Sequence, residues 1–204
     1  YFWNRRAEFI PHTLSPDEAI DKALTSIKNG YVIINEISDN PGSGTPGDGT
    51  YLLRELLERN IPSAYGFIYD PEVAQQAAKA GVGATISCRL GGKTDTLHGE
   101  PVEIPNALVR CVSDGAFVRQ SQMGLGGHNS LGTTVCLKVG NVEIAVGSFR
   151  TQTFDEGPFV TSGITWRNKR LLALMYLKLY MNVDADICLL RRIERDITEL
   201  YVGQ

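Results

Sequence analysis

The stretch Tyr31-Val32-Ile33-Ile34-Asn35-Glu36-Ile37, then Ser38-Asp39-Asn40-Pro41-Gly42-Ser43-Gly44-Thr45-Pro46-Gly47-Asp48-Gly49-Thr50, then Tyr51-Leu52-Leu53-Arg54-Glu55-Leu56-Leu57-Glu58-Arg59 decides the fold class. Its first run is β-branched and mostly apolar, the composition of a buried strand. Its last run places Leu52, Leu53, Leu56 and Leu57 on one helical face, with Glu55 and Arg59 spaced to pair on the outside. Between them stand four glycines, two prolines, two aspartates and an asparagine. That loop is longer than the ~2–6 residues usual for such a connection, and long loops in compact domains are often functional. A strand leading through glycines into a helix offers backbone N–H groups and a helix dipole to a ligand.

Upstream, Ser15-Pro16-Asp17-Glu18 spells a capping box, with Ser15 as N-cap and Pro16 at the first helical position. Ala19, Ile20, Ala23, Leu24 and Ile27 recur at helical spacing, which predicts a helix over 16–28 ended by Asn29-Gly30. Residues 1–14 mix Tyr1, Phe2, Trp3 and Phe9 with Arg5, Arg6 and Glu8 and read as a short arm that docks on an apolar surface. Downstream, Asn60-Ile61-Pro62 stops the second helix and Ala64 to Tyr69 reads as a second strand. Asp70-Pro71-Glu72 starts a third helix with Val73, Ala74, Ala77 and Ala78 inward, closed by Gly81. Strand, helix, strand, helix over 15–82 implies parallel pairing through right-handed crossovers.

From Gly83 to Leu174 the runs are short and β-rich: Ala84 to Leu90, Val102 to Val112, Ala116 to Arg119, Thr133 to Val139, and Val142 to Phe149. Asp114-Gly115 and Gly140-Asn141 separate neighbours at hairpin spacing, which predicts antiparallel pairing. Lys169 to Leu174 is a candidate last strand. Leu190, Ile193, Ile197 and Leu200 then predict an amphipathic C-terminal helix within a divergent tail at 175–204. The expected fold class is therefore α/β: a strand-helix-strand-helix half with parallel pairing, an antiparallel β-rich half, and a C-terminal helix, all one domain over 1–204.

Composition narrows the function. With 43% hydrophobic and 21% charged residues, the chain is long enough to bury a sizeable core. A net charge of -3 argues against a broad nucleic-acid or anionic-membrane footprint. No apolar run reaches the ~18 residues of a membrane span. Cys88, Cys111, Cys136 and Cys188 are widely spaced and read as reduced thiols of a cytoplasmic protein rather than a zinc signature. The chain starts at Tyr1 and not Met, so a piece of a longer protein is expected.

Gly42-Ser43-Gly44-Thr45-Pro46-Gly47 matches G-x-G-x-x-G, follows a predicted strand, and has acidic Asp70 at the end of the next one. Three features oppose a nucleotide. Pro46 removes a donor, Asp48 brings negative charge to where a pyrophosphate would lie, and the helix starts only past the last glycine. A P-loop would also need a Lys before Thr50. The plain alternative is a turn, with Asp48 or Thr50 capping the helix and Asp70 capping the next. Asp39 and Asn40, however, lie just past a strand's C-terminal end, where α/β sheets present ligand-contacting groups. His12, His98 and His128 do not pair at ligand spacing and read as surface or loop residues. Lys93 and His98 fall in a glycine-flanked segment, 91–101, that reads as a solvated hairpin loop, and 124–132 reads as a flexible loop. No Ser or Cys stands in a nucleophile motif.

Taken together, Ser15-Pro16-Asp17-Glu18-Ala19, Ser38-Asp39-Asn40-Pro41-Gly42-Ser43-Gly44, Pro46-Gly47-Asp48-Gly49-Thr50, Asp70-Pro71, Gly81-Val82-Gly83-Ala84, Gly91-Gly92-Lys93 and Val112-Ser113-Asp114-Gly115 resemble the C-terminal domain of the MlrC family. These are the microcystin-degradation proteins classed as zinc metallopeptidases. The resemblance covers about Trp3 to Leu174, with Phe154 and Gly163-Ile164 extending it past the β region. It implies a two-domain parent that cleaves an amide bond in a linearised peptide, with zinc bound by a separate N-terminal domain and outside this chain. The isolated chain would then be inactive and would form one wall of the cleft. By position the resemblance makes Asp39, Asn40, Gly42, Gly44, Asp48 and Lys93 the cleft candidates, with no catalytic or metal-binding residue assigned here. The implied partners are that N-terminal domain and a peptide or amide substrate, and homo-oligomerisation stays open. After Leu174 the family's Lys-Ser and His-Phe-Arg type segment is replaced by Met175-Tyr176-Leu177-Lys178-Leu179-Tyr180. A phosphate- or nucleotide-binding module and a non-catalytic interaction domain are the competing readings.

Overall fold

The computed structural model describes residues 1, 3–9, 13–27, 30–122, 124–175 and 201–202. The predicted C-terminal helix lies outside them. A 3-10 turn spans Trp3–Phe9, and Tyr1 and Trp3 are largely exposed. Helix α1 covers Pro16–Ser26, and the N–H of Ser15 donates to Glu18 Oε2 at 3.0 Å as the capping box requires. Ala19, Ile20 and Ala23 are buried, whereas Leu24 is exposed and drops out of the expected inner face.

Strand β1 (Val32–Glu36) leads through the glycine-rich loop to α2 (Tyr51–Glu58), then β2 (Ser63–Tyr69) and α3 (Pro71–Ala80). Arg59 does not pair with Glu55. It reaches across to Asp21 of α1 at 2.5 Å, tying the two helices together. Asp70 caps α3 as expected, accepting the N–H of Val73 at 3.1 Å. The second half supplies β3 (Thr85–Leu90), β4 (Val102–Ser113), β5 (Ala116–Val118), β6 (His128–Ser130), β7 (Thr134–Val139), β8 (Val142–Gly147), α4 (Gly157–Thr161), β9 (Leu171–Met175) and β10 (Tyr201–Val202).

All strands but β5 and β6 join one sheet in the order β10-β1-β9-β2-β8-β7-β4-β3. Strands β1, β9, β2 and β8 run parallel, and β8, β7, β4 and β3 alternate antiparallel. The two halves expected from the sequence are thus halves of one sheet, joined where β2 meets β8. Strand β9 slots between β1 and β2, and all five of its residues are buried, as a central strand covered on both faces must be. Helices α1, α2 and α3 cover one face. Phe159 of α4, Ile164 and Trp166 cover the other.

Two expectations change here. Gly140-Asn141 closes the β7–β8 hairpin, but Asp114-Gly115 closes none: β5 leaves the sheet and pairs with β6. The supposed flexible loop at 124–132 accordingly contains a strand, and the β5–β6 ribbon is anchored by Asp155, whose carboxylate accepts the N–H groups of Gln120, Ser121 and Gly157. Among the described residues no helix is long and apolar enough to cross a membrane.

Candidate functional site

Because β1, β2 and β8 are parallel, their C-terminal ends share one edge of the sheet, and the connections leaving them gather there. These are the Ser38–Thr50 loop, Asp70 at the head of α3, and the segment after Gly147. The loop is not slack. Tyr69 N–H donates to Gly47 carbonyl at 2.7 Å, Thr50 N–H to His98 carbonyl at 2.9 Å, and Gly92 N–H to Asp48 carbonyl at 2.7 Å.

Asp39 organises the loop from inside. It is fully buried, and its carboxylate accepts Thr45 Oγ1 at 2.7 Å, Gly47 N–H at 2.8 Å and Gly49 N–H at 2.8 Å. These are the donors a bound phosphate would need, so the loop's own aspartate occupies the anion position of the dinucleotide spelling. Asp48 is turned inward as well. Its Oδ2 accepts the N–H groups of Lys93 and Thr94 and the Thr94 hydroxyl, each at 2.9 Å.

Asn40 is half-buried, and its Oδ1 accepts Gly42 N–H at 3.1 Å and Gln152 Nε2 at 3.3 Å. Gly42, Ser43 and Gly44 form the exposed tip, with Gly44 in the left-handed region at φ +96°. Lys93 makes a corner: its Nζ lies 3.1 Å from Asp70 Oδ2 and 2.7 Å from Glu72 Oε2. Partial burial pulls its pKa down, but the bonds to Glu72 and Asp70 outweigh this and leave it raised. Lys93 and Glu72 also line a groove of about 680 Å³ between α3 and β3, where Arg89 pairs with Glu103 at 2.7 Å.

Segment 91–101 is the expected β3–β4 connection, but it is only partly solvated. Tyr51 donates to Leu97 carbonyl at 3.2 Å, Thr50 Oγ1 to Glu100 carbonyl at 2.8 Å, and His98, nearly buried, holds Asp95 through Nδ1 at 2.8 Å. The structure thus brings Asp39, Asn40, Gly42, Gly44, Asp48 and Lys93 to one edge, with the two aspartates behind the surface and the others on it.

Sequence reasoning missed four residues. Glu36 sits fully buried beneath the loop, where Oε1 accepts Ser38 Oγ at 2.8 Å and Oε2 accepts the Tyr65 hydroxyl at 3.0 Å. Burial pushes its carboxyl above the ordinary range, against the lowering effect of the hydrogen bonds from Ser38 and Tyr65. Tyr65 also reaches Gly49 carbonyl at 3.2 Å; burial first, and then the Glu36 carboxylate, hold its hydroxyl protonated well above the usual range. Arg150 Nε donates to Pro46 carbonyl at 2.6 Å, with its guanidinium 4.8 Å from the Tyr69 ring centre, and Gln152 holds Asn40. The signal for Glu36 was a charge inside an apolar strand. For Arg150 and Gln152 it was their position just past β8.

A family model described as the MlrC C-terminus matches residues 34–184. The chain belongs to the MlrC C-terminal family. The match starts inside β1, so the Ser15–Ala19 part of the resemblance lies outside it, and it runs on past Leu174. Microcystinase C of Sphingomonas sp is 33% identical over 158 residues, which is 76% of this chain and 30% of that protein. A crystal structure of an inferred metallopeptidase from Mesorhizobium sp. BNC1 superimposes with a TM-score of 0.77 at 20% identity, over 88% of this chain and 38% of that one. The structural likeness carries the fold, and this MlrC C-terminal chain spans about a third of the length of either relative. Among the described residues no three His, Cys, Asp or Glu side chains come together in a way that could hold a metal ion. The carboxylates of Glu36, Asp39 and Asp48 are engaged by hydroxyl and N–H donors instead.

Proposed function

We propose that this chain is the substrate-positioning domain of a zinc-dependent metallopeptidase or amidohydrolase, with the metal held by a separate N-terminal domain of the same parent. The single observation that carries the reading is the loop's construction: an exposed Gly42-Ser43-Gly44 tip at the C-terminal edge of the parallel strands, held rigid from beneath by the buried Asp39. When bound, zinc would activate a water and polarise the scissile carbonyl. The residues here would do the rest. Gly44, with open space where a Cβ would go, would let a peptide backbone approach closely, Gly42 would leave room for the Gln152 side chain that orients Asn40, and Lys93 would set the corner beside Asp70. Asp39 and Asp48 would keep that wall in register, which matters because small misplacements of a substrate cost large factors in rate.

The experiment compares this chain with the longer polypeptide of its gene for zinc content and for hydrolysis of a linear peptide amide. The expected result is activity and zinc in the longer polypeptide, neither in the chain alone, and roughly a tenfold loss of kcat/KM for Asn40→Ala with zinc content unchanged. Stoichiometric zinc and hydrolysis in the chain alone would overturn the division of labour. Full activity in the Asn40 and Lys93 variants would reduce the chain to a non-catalytic interaction domain.

A further inference from the structure

Cys111 on β4 and Cys136 on β7 stand directly opposite each other in the antiparallel ladder. Both face the α4 side of the sheet, where Cys136 is buried in the core cluster and Cys111 packs at its margin. The pair adjoins a bulge, where Arg110 is an extra residue on β4 between the Val109–Leu137 and Cys111–Cys136 partners, and opposed residues of a regular antiparallel pair have Cα atoms about 4.5 or 5.5 Å apart, according to ladder position. A disulfide spans Cα separations of about 4.4–6.8 Å, so either position suits one. Room for the sulfur exists because Gly163 passes so close that a Cβ there would stand 3.2 Å from Cys111 Sγ. Both cysteines are free thiols. Cys88, the other described cysteine, has Ile104 and no cysteine as its register partner.

The position of the pair gives a bond there a structural consequence. Beyond it the ladder has only Val112 against Val135 and Ser113 against Thr134 before the chain departs as the β5–β6 ribbon. Residues 112–135 are therefore the ribbon and its mount.

We propose that Cys111 and Cys136 form a modification site, oxidised to a cross-strand disulfide by small disulfides of the oxidised-glutathione class, and that this bond locks the mount of the ribbon. Cys111 is half-buried and Cys136 only 1% exposed, which sets the order of events. The Cys111 thiolate attacks one sulfur of the small disulfide, forming a mixed disulfide and releasing one thiolate. Cys136 then loses its proton to solvent and attacks Cys111 Sγ, releasing the second. Two protein thiols are oxidised and one small disulfide is reduced to two thiols. Burial and then Glu143 outweigh Arg110 and Lys169 in pushing the Cys136 thiol up to about 12, so the second step is the slow one.

The test incubates the folded chain with oxidised glutathione, quenches with acid, alkylates free thiols and maps the peptides. The expected product joins Cys111 to Cys136, with the chain lighter by two hydrogens. After one proteolytic cut within 119–127, the fragments should stay together until reduced. Cys111→Ser and Cys136→Ser should each abolish the link while circular dichroism shows an unchanged fold. A Cys111 that is still a free thiol after prolonged exposure, one that stops at the glutathione adduct, or one that links to Cys88 or Cys188 overturns the proposal. Because Cys111→Ser sits at the core margin, it remains informative even where the Cys136 variant fails to fold.

Discussion

The carboxylate of Asp39 and the backbone N–H of Gly47 meet at 2.8 Å across eight residues, with Gly49 bound to the other oxygen at the same distance. A glycine-rich loop with free N–H groups would be an anion site. Here the anion is the loop's own side chain, buried and satisfied, and the loop becomes a preformed surface.

Asp39→Ala should therefore cost about 2–4 kcal/mol, since two buried N–H donors and the part-buried Thr45 hydroxyl lose their acceptor together. Asp39→Asn should also be costly, because its NH2 group must face an N–H donor. Urea unfolding measures the loss, and amide exchange at Gly47 and Gly49 should accelerate locally. An Asp39→Asn midpoint equal to that of the unsubstituted chain would remove Asp39 from its central role.

Legibility followed the range of each interaction. The capping residues Ser15 and Asp70 and the strand-loop-helix at 31–59 could be read from sequence because a few neighbouring residues determine them. The insertion of β9 between β1 and β2 could not, since sheet order is set by packing across more than a hundred residues. Separation along the chain likewise hid Arg59 with Asp21, 38 residues apart, and Arg150 with Pro46, 104 apart. Asp39 and Asp48 could be named as important, but their inward aim depends on N–H groups that reach them only once the loop and the 91–94 segment have folded.

Two glycines at the site should respond differently to alanine. Gly44 lies in the left-handed region with open space where a Cβ would go. Gly44→Ala should cost about 1–2 kcal/mol from backbone strain alone. Gly91 has φ +65°, and a Cβ there would come within 2.5 Å of Ile68 Cδ1 and 2.7 Å of Asp48 carbonyl. Gly91→Ala should add an overpacking cost of about 1–3 kcal/mol. Denaturation midpoints in the reverse order would contradict the packing described.

Lys93 bridges a buried and an exposed carboxylate, which separates its two ion pairs energetically. Asp70's side chain is 1% exposed and Glu72's is 78% exposed. Lys93→Met should cost about 1–3 kcal/mol by leaving Asp70 short of a charged partner. Glu72→Gln should cost much less than Lys93→Met, as solvent and salt screen that pair. Thermal unfolding at low and high salt distinguishes the two, with only the Glu72 effect fading as salt rises.

The last prediction concerns Glu36, fully buried below the loop without a cationic partner among the contacts described. Burial raises its folded-state pKa above the unfolded value, despite the hydroxyls of Ser38 and Tyr65. In the window between the two values the folded chain binds more protons than the unfolded chain, so stability falls as pH rises. The favourable contribution is complete below the ordinary glutamate range and is lost once pH passes the folded value. Glu36→Gln removes the titration and keeps a neutral side chain of the same shape. As pH rises from the ordinary glutamate range through the raised folded value, the stability of the unsubstituted chain relative to Glu36→Gln should therefore decline. Paired urea titrations across that range give the difference directly. A difference that stays flat, or that grows in favour of the glutamate at higher pH, would mean that Glu36 is ionised in the fold and that the loop rests on a buried charge.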